Sequence, residues 1–446
     1  MREVLSRPRL HQLAVSSGFC QRFSKLNPEV FFDMLFHTVS ETESGSLSYM
    51  VSKLQSDFGI SINKQSLNER FNAKSVFFVK EVLREVLREQ FSNLYFPELL
   101  PNFSRILIKD STKMLVPPGL ESKYRACGGD VHSRSKAGIS IQYEYDLKSG
   151  GITDLTITSG DRNDRTDAGE TACKIEKNTL IIRDLGYFST PVYEACSEKE
   201  SFFLSRLDCS TNVYDETGKL ISFSNIYRAM QKSREVEKEL FVYVGKQTKL
   251  PVRLILQKVP DEIYEKRIRE KTKKSKGQGR GQLTEETKIR CRFNLFITNA
   301  EESMLSANRV YPLYRIRWQI ELQFKIWKSV FKIDGWHEMK EARYFTLLYI
   351  KLILIIMNLQ IVYSLQQSIV QNKADKIQVL SLNKSLKTLK TLFDEIFMML
   401  RGTVRKAKEM TKYIRSRLLE NHQLESKKKK LCLPEILTLF ICISGK

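Results

Sequence analysis

The chain has 446 residues, 42% hydrophobic and 10% aromatic, which excludes a disordered or fibrous protein and leaves room for more than one domain. Its 73 Lys and Arg against 51 Asp and Glu give a net charge of +22, more than solubility requires, so the expected partner is a polyanion: nucleic acid first, an anionic membrane surface second. The eight cysteines are scattered, with no C-x-x-C and none paired near the five histidines, which argues against zinc and against a disulfide scaffold and fits a reducing cytoplasm.

In chain order, "MREVLSRPRLHQLAVSSGFC" has a charged start but no sustained apolar core, so no signal peptide is expected. Residues 1–100 read as helical. "SLSYMVSKLQSDFGISINKQSLNERF" (Ser46 to Phe71) predicts two helices around a turn at Gly59. That is compatible with a helix-turn-helix placing Ser66 to Arg70 near DNA, and equally with any small helical bundle. From about Arg105 the pattern changes. "RILIKDST" is an apolar run ending at Asp110, and "AGISIQYEYD" and "ITDLTITSG" alternate as strands do. "RTDAGETACKIE" reads as a helix, "NTLIIRDLGYF" as a buried strand ending at Asp184, and "SFFLSRLD" as another strand. This order predicts an α/β ribonuclease-H-like core. "VYDETGKLISF", "ELFVYVG" and "VRLILQKV" then read as a β-rich insertion. Glu265 to Arg290, charged with a Gly-rich centre, reads as a flexible basic loop, either a solvated linker or an arm that tracks phosphates. "RFNLFITNA" is a returning strand. After Lys340 the chain is helical again, with a basic run from Lys427 to Lys430. Phe345 to Leu365 is the one membrane candidate. Lys351, Asn358 and Gln360 interrupt it, so a buried core helix is expected there.

"YRIRWQIELQFKIWK" (Tyr314 to Lys328) sets one carboxylate, Glu321, in a basic and aromatic stretch. Read as one helix, Tyr314, Arg317, Glu321 and Lys328 fall within an arc of roughly 60° on an otherwise apolar, buried surface. Arg317 would then lie roughly 6 Å before Glu321 and Lys328 roughly 10 Å beyond it. A pairing of Glu321 with Arg317 one turn away is the plain structural reading.

Asp110 and Asp184 each end an apolar strand, where open α/β sheets hold their sites and where helix caps also favour Asp. Together with Glu321 they make three carboxylates suited to divalent metal. Mg²⁺ takes oxygen ligands, and two ions could share the set with a phosphate.

Tyr314, Arg317, Glu321 and Lys328 match a Y-x2-R-x3-E-x6-K spacing. This resembles the signature of bacterial insertion-sequence transposases, the insertion-sequence-four family with a DDE active site. "IKDST" and "RDLGYF" resemble that family's two aspartate motifs, and "FNLFITNA" resembles the strand returning from its inserted β domain. The resemblance runs from about Ser46 through Trp336. It implies cut-and-paste DNA transposition by an enzyme that binds terminal inverted repeats, cleaves at the transposon end and transfers the strand. It further implies Asp110, Asp184 and Glu321 as catalytic metal ligands, Mg²⁺ as cofactor with two ions and Mn²⁺ able to substitute, and Tyr314, Arg317, Lys325 and Lys328 on DNA phosphates. The partners implied are double-stranded DNA, both transposon ends and target, and a second copy in a homodimeric synaptic complex. Location would be cytoplasmic, with the nucleoid. Family members that form hairpins stack a flipped base on an aromatic residue near the returning strand; here that stretch offers Phe293, which reads first as a core strand residue and only second as such a platform.

The expected layout is a helical DNA-binding region over 1–100 and the first part of the core over 101–208. The β-rich insertion with its basic loop follows over 209–292. The second part of the core, with the glutamate helix, spans 293–342, and a helical region spans 343–446. Rival readings are a decayed DNA-binding protein with a dead site, a non-transposing nuclease of the same fold, and a basic membrane-associated protein.

Overall fold

Five capped helices open the chain: α1 (Arg7–Ser16), α2 (Pro28–Glu41), α3 (Leu47–Phe58), α4 (Lys64–Arg70) and α5 (Ala73–Arg88). The computed structural model describes residues 2–22, 24–42, 45–90, 99–127, 136–209, 211–245, 249–277, 279, 282–370, 379–424 and 433–440. The remaining elements are β1 (Arg105–Leu115), β2 (Gly138–Asp146), β3 (Ile152–Ser159), α6 (Asp164–Thr171), β4 (Thr179–Arg183), α7 (Thr190–Glu198), β5 (Phe202–Arg206) and β6 (Val213–Tyr214). Next come α8 (Phe223–Lys232), β7 (Glu237–Val244), β8 (Leu250–Lys258), α9 (Asp261–Gly277), α10 (Glu285–Arg290), β9 (Phe293–Thr298), α11 (Ala307–Ile316) and α12 (Trp318–Ser329). Helices α13 (Glu341–Val370), α14 (Leu382–Thr391), α15 (Phe393–Arg401), α16 (Val404–Asn421) and α17 (Leu433–Thr438) complete a mixed α/β protein.

The described chain forms two compact units. The first comprises residues 1–97, 111–162 and 320–438. Its helices start where the sequence supplies caps. Asn27, Ser46, Asn63 and Asn72 each accept a bond from a first-turn backbone N–H, and Asn72 with Ser75 completes a capping box. Gly59, at φ +63°, closes α3 in the left-handed region, so the expected pair of helices around this turn is present. The centre of this unit is α13, which packs on α2 and α5. It is long and apolar enough to cross a membrane, yet 89% of its most apolar window is buried inside the protein. Two of its polar residues find partners there. Lys351 donates to the Lys332 carbonyl at 3.0 Å with its ammonium 3.8 Å from the Trp336 ring centroid, and Asn358 donates to the Leu354 carbonyl. A buried core helix, as expected, accounts for the apolar run. Within this unit β2 and β3 form an antiparallel hairpin, Ile141 opposite Ile157.

The second unit comprises residues 98–110, 163–319 and 439–446. Its strands lie in the order β1-β4-β5-β9-β8-β7-β6. The pairs β1–β4 and β4–β5 are parallel, and the pairs from β5–β9 to β7–β6 are antiparallel. Strands β4 and β5 are short runs of buried residues, as parallel strands covered on both faces must be. Leu107, Ile181, Tyr193 and Phe203 belong to one core cluster with Val252, Leu254 and Ile297, which carries that core from β1 to β8.

Two expectations are corrected. Glu265 to Arg290 is mostly helix over its described length: α9 runs to Gly277 and α10 from Glu285, with non-helical residues between them. Glu, Lys and Arg are good helix formers, and the helix has Asp261 and Glu262 at its start and Lys274 and Lys276 at its end, matching its dipole. Nor is Tyr314 to Lys328 one helix. It is α11 and α12, separated at Arg317, where the backbone closes a tighter bond from the Arg317 N–H to the Tyr314 carbonyl. The continuous helix that the reckoning by helical rise assumed is present within α12, from Glu321 to Lys328, and is interrupted at Arg317. The surface is also less buried than expected, with Trp318 61% and Leu322 42% exposed. The run Lys427 to Lys430 lies outside the described residues.

Candidate active site

Parallel pairing of β1 with β4 sets Lys109 beside Arg183, the last pair of that ladder. Asp184 follows the end of β4, whereas Asp110, expected to end its strand, lies within β1, which continues to Leu115. Side chains alternate along a strand, which turns Lys109 away from Asp110. Lys109 is buried completely. Its ammonium meets the Asp167 carboxylate at 2.6 Å and Thr171 Oγ1 at 3.4 Å, both on α6. Arg183 is likewise buried, at 2% exposure. Each candidate aspartate thus follows a cation locked into the core.

The aspartates themselves are open to solvent, Asp110 with 19% and Asp184 with 43% of the side chain exposed. One guanidinium joins them. Arg317, at the end of α11, donates from Nη1 to Asp110 Oδ2 at 3.1 Å and brings Nη2 to 3.5 Å from Asp184 Oδ1. The Tyr314 hydroxyl, one turn earlier, donates to Asp184 Oδ1 at 3.3 Å. Its ring packs on Phe296 of β9, centroids 5.2 Å apart, and burial pushes the phenol above its ordinary pKa. Asp110, Asp184, Tyr314 and Arg317, four of the residues singled out from sequence, are therefore brought together in one unit.

Glu321, Lys325 and Lys328 belong to the other unit, on α12. Ile320, Phe324, Ile326 and Trp327 form the buried side of that helix. Gln323, buried at 1% exposure, fixes it further. Tyr143 of β2 donates to Gln323 Oε1 at 2.8 Å, and Gln323 Nε2 donates to the Tyr363 hydroxyl of α13 at 3.2 Å. Glu321 is half-buried in the first turn, Lys325 is exposed, and Lys328 donates to the Lys113 carbonyl at 2.8 Å. Among the described residues no group of three or more His, Cys, Asp and Glu is gathered as a metal-binding cluster. The Asp110–Asp184 pair still fits a hard cation, since its carboxylate oxygens already face one shared positive group, Arg317. Phe293 is buried at 2% exposure against Tyr227, so it is a core residue and offers no face for a base.

Sequence reasoning missed Asp167 and Gln323. An acidic residue on a short helix and a glutamine on an apolar helix carry no pattern of their own. A buried lysine directly before Asp110 was the available signal for the first.

Comparison with known proteins places this site in context. The family model for the transposase DDE domain matches residues 101–359. A transposase of insertion sequence element IS231F from Bacillus thuringiensis subsp. israelensis is 29% identical over 423 residues, 91% of this chain and 86% of that protein. A transposase of insertion sequence element IS1151 from Clostridium perfringens is 28% identical over 379 residues, 81% of this chain and 79% of that protein. Among solved structures, a piggyBac transposase synaptic complex with hairpin DNA superposes with a TM-score of 0.44 at 12% identity, covering 97% of this chain and 86% of that one. With the family model matched over more than half its length, the chain belongs to the DDE transposase family, metal-dependent enzymes that cleave and transfer DNA strands.

Proposed function

We propose that this enzyme binds the terminal inverted repeats of an insertion sequence and moves it by a cut-and-paste reaction, with Asp110, Asp184 and Glu321 as its metal-holding residues. The observation that carries this reading is the convergence of Asp110 and Asp184 on the one guanidinium of Arg317. Two carboxylates sharing a positive group, one within β1 and one just past the parallel β4, supply oxygen ligands of the kind a divalent ion takes. Mg²⁺, as two ions with Mn²⁺ able to replace it, would supply an activated attacking oxygen and a stabilised leaving oxygen.

This chain's own residues then divide the remaining work. Tyr314 and Arg317 orient a DNA phosphate beside the aspartates, Arg317 through a fork that matches phosphate oxygens. Lys325 and Lys328 hold further phosphates as point charges along the same strand. The net charge of +22 supports a polyanion as substrate. The proposed core is ribonuclease-H-like, with segment 209–292 inserted between β5 and β9. Residues 1–100 would contact DNA, and two copies would bridge two transposon ends in the bacterial cytoplasm.

The test is metal-dependent nicking of duplex DNA carrying the element's end sequence. Asp110→Asn, Asp184→Asn and Glu321→Gln should each abolish nicking while end binding and the melting temperature stay near wild type. Near-normal cleavage by any one variant in Mg²⁺ removes that residue from the ligand set.

A further inference from the structure

Strands β5 and β9 pair antiparallel, Leu204 opposite Thr298 and Arg206 opposite Phe296, and the Leu207 N–H extends the pairing to the Leu295 carbonyl. The chain therefore leaves β5 and returns to β9 at one place, the neck of the segment that carries β6 to α10. Cys209 lies three residues past β5, and Cys291 two residues before β9.

Side chains fasten both backbones there. Arg290 Nη1 donates to the Cys209 carbonyl at 3.0 Å and the Thr211 carbonyl at 2.6 Å. Arg267 of α9 donates to the carbonyls of Cys291, at 3.2 Å, and Phe293, at 2.8 Å. Lys271, one turn further along α9, reaches the Cys209 thiol, and the two thiols hydrogen-bond each other. Cys209 is half-buried and Cys291 buried.

We propose that Cys209 and Cys291 are an oxidation site, closing under a hydroperoxide to a disulfide across the neck of the segment between β5 and β9. The Cys209 thiolate attacks the terminal oxygen of the hydroperoxide. The O–O bond breaks, the alkoxide leaves and takes a proton as the alcohol, and Cys209 becomes a sulfenic acid. The Cys291 thiol attacks that sulfur, and its proton leaves with the hydroxyl as water. Two thiols lose two electrons, and the hydroperoxide gains them. The hydrogen bond from Cys291 lowers the Cys209 thiol from its ordinary pKa, and Lys271 adds to this, against the opposing effect of burial. Cys209, half-buried and beside Lys271, is therefore the attacking sulfur, and the buried Cys291 is the resolving one. Nothing in this proposal depends on the catalytic carboxylates.

The test treats the full-length protein with tert-butyl hydroperoxide and maps its thiols by mass spectrometry. The exposed Cys127 and Cys173 serve as comparators in the same sample. The linked Cys209–Cys291 peptide should form roughly tenfold faster than either comparator is oxidised, and dithiothreitol should reverse it. Cys291→Ser should leave a sulfenic acid on Cys209 that dimedone captures. Lys271→Met, at a partly exposed position, should slow the oxidation severalfold without moving the melting temperature. Oxidation of Cys127 or Cys173 ahead of Cys209, or oxidation of Cys209 in the wild type without linkage to Cys291, would overturn the proposal.

Discussion

Arg317 spans Asp110 and Asp184 with a single guanidinium, at 3.1 and 3.5 Å, while only 7% of its own side chain meets solvent. Structural and functional readings of Arg317 meet in this contact. Removing the guanidinium leaves two neighbouring carboxylates without their shared cation. Breaking a fully buried pair costs about 3–5 kcal/mol. Asp184 is 43% exposed, so Arg317→Ala should cost less, about 1–3 kcal/mol in a thermal or urea melt. The informative measurement is the same melt with Mg²⁺. A metal ion competes with Arg317 for these oxygens, so the ion should raise the melting temperature of Arg317→Ala more than that of the wild type. Equal shifts in both proteins would mean that the aspartates do not share a metal.

The buried Lys109–Asp167 pair predicts a different pattern. Both side chains are almost wholly inaccessible, 0% and 4% exposed. Lys109→Met strands a carboxylate in the core and should cost about 3–5 kcal/mol. The double variant Lys109→Met with Asp167→Leu should recover most of that loss, because an apolar pair of similar volume replaces an ion pair at little net cost. A double-mutant cycle by urea denaturation measures it. Additive losses would show that the two charges do not depend on each other.

These two pairs mark how far the sequence could be read. Asp110 and Asp184 were legible because each ends an apolar run, although only β4 stops there and β1 continues through Asp110 to Leu115. Tyr314 and Arg317, which meet the aspartates, were legible through their spacing. The break at Arg317 was not, because no Gly or Pro stands there; the change from α11 to α12 coincides with a side chain drawn to two distant aspartates. Asp167 was illegible for a similar reason, since its partner lies 58 positions earlier in the chain, beyond any local period. Helix α9 was misread because a solvated charge run and an exposed helix share one composition. What separates them is tertiary, namely Arg267 bonding the Cys291 and Phe293 carbonyls. The thiol pair at the neck was likewise hidden by sequence distance.

Acid stability should respond to Arg9 and Glu85. The Glu85 carboxyl is held below its ordinary range by its hydrogen bond from Arg9, and its side chain is 17% exposed. A carboxylate with a depressed folded pKa contributes stability above its unfolded value, about 4.3, and loses it as pH falls through the folded value. Arg9 is 41% exposed, so the contribution is small, under about 1 kcal/mol. Arg9→Ala should therefore lower the melting temperature at pH 7 and have progressively less effect as pH falls below 4. A constant difference between variant and wild type from pH 7 to pH 3 would remove this pair from the account of acid stability.

Binding to DNA should show the electrostatics of α12 separately from the chemistry. With a net charge of +22, the affinity for end-sequence duplex should fall steeply as salt rises, since each neutralised phosphate releases counterions. Lys325 is exposed on α12, so Lys325→Ala should leave the fold intact. If Lys325 meets one phosphate, the slope of log affinity against log salt should become shallower by about 0.9, and affinity should drop to a similar degree for every DNA sequence tested. The Lys328 ammonium donates to the Lys113 carbonyl at 2.8 Å. Reaching a phosphate would mean exchanging that bond, so Lys328→Ala should make the slope shallower by less than about 0.9 and should also lower the melting temperature. Fluorescence anisotropy across a salt series, with thermal melts of both variants, distinguishes them. An unchanged slope in Lys325→Ala, with wild-type affinity at every salt concentration, would show that this face of α12 carries no phosphate contact.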